Sequence, residues 1–204
     1  MKICVFGDSI AWGAVDLVNG GWVNQLKKFF ENKAAKIKVD NLSIPGADSK
    51  SLLWRFKWQV FFRRPQVIIF AIGINDCVFD LKKNTYKYSL EQSLARFKKL
   101  LKQAKSFSQK IIFIGLTNVD VKKTCPMLLD KSICYYNRRI KELDREIARL
   151  ANENDLPYFS CFGQLENKEL IDGLHPDQRG QEKLFQLLKP KIIKQLSTWK
   201  IYQP

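Results

Sequence analysis

The chain has 204 residues, 46% of them hydrophobic and 27% charged, with 35 Lys+Arg against 20 Asp+Glu for a net charge of +15. That much apolar matter excludes a solvated, disordered chain, and the length predicts one domain, residues 1–204, with a full-sized core. One histidine and five cysteines without a C-x-x-C pair argue against zinc sites and thioredoxin-type redox centres.

Short β-branched runs alternate with stretches of helical period, the pattern of a parallel sheet covered by helices on both faces. Strands are expected at Lys2–Phe6, Ile37–Leu42, Val67–Ile72, Ile111–Leu116 and Pro157–Cys161. Val67–Ile72 is apolar at consecutive positions, as a strand buried on both sides requires. Helices are expected at Gly21–Asn32, Asp48–Phe62, Ser89–Phe107, Lys131–Asn154 and Pro176–Leu196. In the fourth, Ile133, Tyr136, Ile140, Leu143, Ile147 and Leu150 recur at threes and fours. Pro176 is expected in the first turn of the last helix, where its missing N–H costs nothing. The connections Cys77–Tyr88 and Thr117–Lys131 are longer than a strand-to-helix turn needs, and they are the candidate substrate walls.

Four short motifs stand at strand ends or before the last helix. Gly7-Asp8-Ser9 follows the first strand, where a helix N-terminus exposes a hydroxyl and supplies backbone N–H donors, although Asp8 or Ser9 also suits a plain helix cap. Gly46 follows Pro45 in a turn that lets its N–H approach a ligand. Gly73-Ile74-Asn75-Asp76 ends the most apolar strand, placing either an amide donor or an ordinary turn at the crevice. Asp172 precedes the only histidine, His175, by three residues, a spacing that allows the carboxylate to accept the Nδ1 proton and leave Nε2 free as a base.

Taken together and in this order, the motifs resemble those of the SGNH hydrolases, also called GDSL esterases and lipases, over nearly the whole chain from Gly7 to Pro176. The one departure is Ile10 in place of the motif's leucine, an isomeric packing change. The resemblance implies a three-layer α/β/α, flavodoxin-like fold with a central parallel sheet of about five strands. It also implies a serine esterase that needs no metal or organic cofactor: Ser9 as nucleophile, His175 as base and then acid, Asp172 orienting His175, and an oxyanion hole from the Ser9 and Gly46 N–H groups and the Asn75 amide.

The charge is uneven. No acidic residue lies between Ser49 and Asn75, where Lys50, Arg55, Lys57, Arg63 and Arg64 interleave with Trp54, Phe56, Trp58, Phe61 and Phe62. Gln92 to Val119 is also free of acid. A crossover helix is expected to hide such aromatics against the sheet and keep its cations in water. The alternative to an esterase is a non-catalytic module that holds nucleic acid or an anionic membrane on this basic face, although no nucleic-acid motif accompanies it. Within the esterase reading, Lys82, Lys83, Lys87, Lys122 and Lys123 suggest an anionic acyl substrate such as a lysophospholipid or acyl thioester, with acetylated sugars equally open. Cys77 borders the crevice or is a small buried hydrophobe. The longest apolar run, Gln66 to Ile74, falls short of the about 20 residues a membrane span needs. With no signal-peptide pattern before the first strand and scattered cysteines read as reduced thiols, a soluble cytoplasmic protein is expected.

Overall fold

A computed structural model describes residues 1–33 and 37–202. Five strands form one all-parallel sheet: β1 (Lys2–Gly7), β2 (Lys38–Asn41), β3 (Val67–Ala71), β6 (Ile111–Ile114) and β8 (Tyr158–Phe159), in the spatial order β2-β1-β3-β6-β8. Strands β1, β3 and β6 are buried along almost their whole length, which explains their unbroken apolar runs. Phe6 on β1 is paired in register with Phe70 on β3, and Phe70 in turn with Phe113 on β6, so that the rings stack across the sheet. The order places the switch in winding direction between β1 and β3, where ligands bind in such sheets.

Helices α2 (Gly21–Lys33) and α7 (Gln178–Thr198) pack on each other along one face. Helices α3 (Ser49–Arg63), α4 (Leu90–Lys105) and α6 (Asn137–Asn152) pack in series on the other. Together with the sheet they make the expected three-layer α/β/α arrangement. Two one-turn helices, α1 (Ser9–Trp12) and α5 (Val121–Thr124), sit on the crevice side.

The structure corrects the sequence reading in several places. The two long connections are not separate walls. β4 (Val78–Asp80), β5 (Thr85–Tyr86) and β7 (Ile133–Tyr135) form a small antiparallel sheet in the order β5-β4-β7, joining one connection to the segment after the other. Helix α6 accordingly starts at Asn137, and Ile133 belongs to β7 rather than to a helical face. Pro176 lies before the cap of α7, because the Asp177 carboxylate accepts the Gly180 N–H at 2.8 Å and takes the capping role. On α3 only Phe56 among the aromatics is buried; Trp54, Trp58, Phe61 and Phe62 face solvent.

Cys125 and Cys134 form a disulfide, against the expectation of reduced thiols, while Cys4, Cys77 and Cys161 are free and buried. With Cys134 in a strand instead of a helix, the two Cα atoms come within 4.4 Å. None of the described helices is long and apolar enough to cross a membrane.

The bridge closes a short loop, and the loop entropy it removes from the unfolded chain is worth about 2–3 kcal/mol. Replacing Cys125 and Cys134 together by alanine is expected to lower the urea midpoint of unfolding accordingly; an unchanged midpoint under oxidising conditions would count against the bridge.

Candidate active site

The carboxyl ends of β1, β2 and β3 lie side by side, and the residues that follow them meet the loop before α7. Ser9 begins α1, capped by Asp8, whose carboxylate accepts the Ile10 N–H at 3.0 Å. The capping role open to this pair therefore falls to Asp8 and leaves the Ser9 hydroxyl free for another partner. That partner is His175: Ser9 Oγ lies 2.8 Å from His175 Nε2. On the far side of the ring, Nδ1 lies 2.6 Å from Asp172 Oδ2.

The Asp172–His175 loop is rigidly built. Asp172 Oδ1 accepts the backbone N–H groups of Leu174 and His175 at 3.0 and 2.8 Å. Gly173 turns the chain at φ +88°, and a Cβ there would lie 2.6 Å from the Lys123 Cβ. Burial alone would raise the Asp172 carboxyl, but the His175 ring and the two N–H donors outweigh it and hold the group at about 2. It is therefore a carboxylate at any working pH, suited to keeping a proton on Nδ1 and the lone pair of Nε2 toward Ser9.

Gly46 adopts φ +75°, and a side chain at this position would project into open space. The requirement for glycine is thus conformational rather than steric. Among the described residues the Ser9 and Gly46 backbone N–H groups have no hydrogen-bond partner. Asn75 is buried in a 3-10 turn after β3, with Nδ2 donating to the Ala47 carbonyl at 2.9 Å. Its Oδ1 accepts the Tyr135 hydroxyl at 2.9 Å. The Ala47 carbonyl fixes which end of the amide is nitrogen, and one N–H remains for a ligand.

The neighbouring Asp76 ties this turn to the Gly46 loop. It accepts the Ser49 backbone N–H at 2.8 Å and the Ser49 hydroxyl, joining the end of β3 to the start of α3. Burial raises its carboxyl above the usual range, and the two Ser49 donors oppose that shift.

Two clefts open on either side of Gly46. One, of about 490 Å³, is lined by Asn75, Val78, Lys83, Tyr86, Lys87 and Tyr135. The other, of about 560 Å³, is lined by Ile44, Pro45, Ala47, Trp54 and Tyr88 and is largely apolar. Asp48 stands between them, capping α3 and accepting from Lys87 Nζ at 2.8 Å and from the Tyr88 hydroxyl at 3.0 Å. Of the five lysines proposed to face a substrate, Lys83 and Lys87 reach a cleft. Lys123 does not; its Nζ donates to the Leu170 carbonyl and braces the loop that carries Asp172. Lys82 and Lys122 are exposed. Cys77 is a buried hydrophobe, its thiol pushed up by burial.

Sequence reasoning missed two residues that hold the site. Tyr135 lies on the short strand β7, where the sequence pattern predicts helix, so its contact with Asn75 has no sequence signal. Gln181 looks like any polar residue in a helix, yet it is fully buried; its Nε2 donates to the Ile10 carbonyl and its Oε1 accepts the Trp22 N–H, both at 3.0 Å. It fastens the Ser9 turn to α7, the helix that follows His175.

Residues 5–183 match the profile of the GDSL-like Lipase/Acylhydrolase family. Among solved structures, a lipase/acylhydrolase from Enterococcus faecalis is 25% identical, with 94% of each chain covered and a TM-score of 0.76. An esterase, EstA, from Pseudoalteromonas sp., solved with a monoethylphosphonate inhibitor, is 17% identical over 96% of this chain and 98% of its own, with a TM-score of 0.74. The acetyl xylan esterase Axe2 from Geobacillus stearothermophilus, in a variant form, is 21% identical over 94% of this chain and 94% of its own, also with a TM-score of 0.74. Among curated proteins no sequence match is significant.

Asp8 supplies a pH test of the site's packing. Burial pushes its carboxyl up to about 7, against the hydrogen bond it accepts from Ile10. With an unfolded value near ~3.9, the folded state holds the extra proton between those two values, so the stability Asp8 contributes is fully present below the lower and lost as pH rises through the higher. Asp8→Asn keeps a capping oxygen and removes the titration. The melting temperature of this variant is expected to gain on that of the parent from pH 4 to pH 8; a constant difference would contradict the burial of a titrating Asp8.

Proposed function

The chain belongs to the GDSL-like lipase/acylhydrolase family of serine ester hydrolases, and on that premise we propose that Ser9, His175 and Asp172 hydrolyse a carboxylic ester through an acyl-enzyme. The observation that carries this reading is the unbroken hydrogen-bonded chain from Asp172 through both nitrogens of His175 to Ser9 Oγ.

Ser9 Oγ attacks the ester carbonyl as His175 Nε2 takes its proton. Asp172 keeps Nδ1 protonated and stabilises the imidazolium that forms. The negative charge that develops on the carbonyl oxygen is met by the N–H groups of Ser9 and Gly46 and by Asn75 Nδ2, donors already in place before charge appears. His175 then gives its proton to the departing alcohol oxygen as the carbonyl re-forms. Water, deprotonated in turn by His175, attacks the acyl-enzyme, and Ser9 recovers its proton as the carboxylic acid leaves. Every electron pair and proton in this cycle is handled by these residues, so the reading calls for no cofactor.

The apolar cleft favours an ester with a longer acyl chain, such as a lysophospholipid or acyl thioester, over an acetylated sugar. The apolar cleft along Ile44, Pro45 and Trp54 suits an acyl chain that an acetyl group would leave unused, while in the other cleft Lys83 and Lys87 are already paired with Asp80 and Asp48. Residues 1–204 would act as a single catalytic domain.

Ser9→Ala and His175→Ala are each expected to lower kcat for a short p-nitrophenyl ester by about 10³-fold or more, with unchanged circular dichroism. Turnover preserved in either variant would end the assignment. Tyr135→Phe, which frees the Asn75 carbonyl end while keeping the ring, is expected to lower kcat by about tenfold with little change in KM, because the amide is used only when charge develops. A change confined to KM would mean that Tyr135 shapes the cleft instead.

A further inference from the structure

We propose that the outer face of α3 docks the enzyme on an anionic phospholipid bilayer and presents the apolar cleft to it, an inference that rests on the ester-hydrolase reading for its purpose but not for its test. Trp54, Trp58, Phe61 and Phe62 are 85%, 68%, 53% and 73% exposed. At 100° per residue their spacing places them within an arc of about 100°. The buried residues of the same helix, Leu52, Phe56 and Val60, point to the opposite side. The stripe is therefore a second apolar face with no partner in the fold, not the rim of the core, and a cluster of four large aromatics in water marks an interaction surface.

The charge around the stripe names the partner. Lys50 and Lys57 flank it on α3, Arg64 follows at the helix end, and Lys98, Lys99 and Lys102 are exposed on α4, which packs beside α3. None of these six is in an ion pair among the described residues, and no carboxylate lies in the sequence from Ser49 to Asn75. A helix bearing aromatics on one face and uncompensated cations beside them fits the headgroup boundary of an anionic bilayer, where rings reach the acyl region and lysines stay with the phosphates. A second copy of the chain would have to bring two sets of cations together. A nucleic acid strand needs a groove with phosphate contacts, whereas this surface is the convex side of a single helix.

The cleft lined by Ile44, Pro45 and Trp54 continues from the first turns of α3 to Gly46, with Asp48, Lys50, Ser51 and Arg55 also on its wall. Trp54 belongs to both the stripe and the cleft, so a bilayer docked on the stripe lies against the cleft's α3 end.

The test is co-sedimentation with vesicles of phosphatidylcholine, with and without phosphatidylglycerol, alongside hydrolysis of a soluble short-chain ester. The native chain is expected to bind the phosphatidylglycerol vesicles, and less so at high salt. The triple variant Trp58→Ser, Phe61→Ser, Phe62→Ser is expected to lose about tenfold or more in apparent affinity, as is Lys57→Glu, Lys98→Glu, Lys102→Glu, while both keep the soluble activity and melting temperature. These substitutions avoid the cleft and the core, so a folding defect is not expected, and the melting temperature checks it. Absence of vesicle binding by the native chain, equal binding by the aromatic variant, a dimer that the aromatic variant dissolves, or binding of DNA in place of vesicles would each overturn the proposal. Aromatic-dependent vesicle binding in a chain that hydrolyses no ester would instead sink the functional reading and leave the docking surface standing.

Discussion

The central constraint on this molecule is the parallel pairing of β1 with β2 on one side and β3 on the other. Parallel strands end on the same edge, so whatever follows each of them is delivered to one crevice. Ser9 follows β1, Gly46 follows β2 and Asn75 follows β3. None of these residues needs a long loop to reach the others, and β1 and β3 are held to each other and to β6 by the buried rings of Phe6, Phe70 and Phe113. The fourth contribution, the Asp172–His175 loop, does not come from that cluster of strands and must be located by other means. Gln181 does this from α7 by gripping the Ile10 carbonyl and the Trp22 N–H.

Within the crevice, hydrogen-bond donors decide how buried carboxylates behave. Asp172 receives the His175 ring and two backbone N–H groups and stays well below the ordinary carboxylate range. Asp8, in the same site, is pushed up to about 7 by burial, which outweighs the Ile10 and Ala11 N–H groups at its cap and the nearby His175. The same residue type thus serves two purposes. One aspartate holds a permanent charge against an imidazole, and the other is a neutral-leaning cap that keeps the helix start beside Ser9 in place. Asp76 is likewise buried and raised, with the Ser49 donors opposing the shift, and its work is to join the Asn75 turn to the Gly46 loop.

The long strands and the four motifs were legible in the sequence because each depends on local pattern: consecutive apolar residues for β1, β3 and β6, and a polar group at a strand's end for Ser9 and Asn75. What was not legible has one physical character, short elements stabilised from far away. Strands β4, β5 and β7 have three, two and three residues, too few for a period to show, and their pairing across some fifty positions is what brings Tyr135 to Asn75. The Cys125–Cys134 bridge was hidden for the same reason, since Cys134 in a helix offers no such geometry. On α3 the apolar residues occupy nearly the whole circumference, so the sequence pattern did not mark a second face, and the expectation that all five aromatics were buried followed from assuming one.

The proposed ester hydrolysis depends on Ser9 forming a covalent bond under the direction of His175. Mass spectrometry of the intact protein after treatment with a fluorophosphonate, followed by peptide mapping, reads this directly. A single adduct on Ser9 is predicted, absent from Ser9→Ala and formed far more slowly in His175→Ala. An adduct on another residue, or none at all in a chain that still folds, would contradict it.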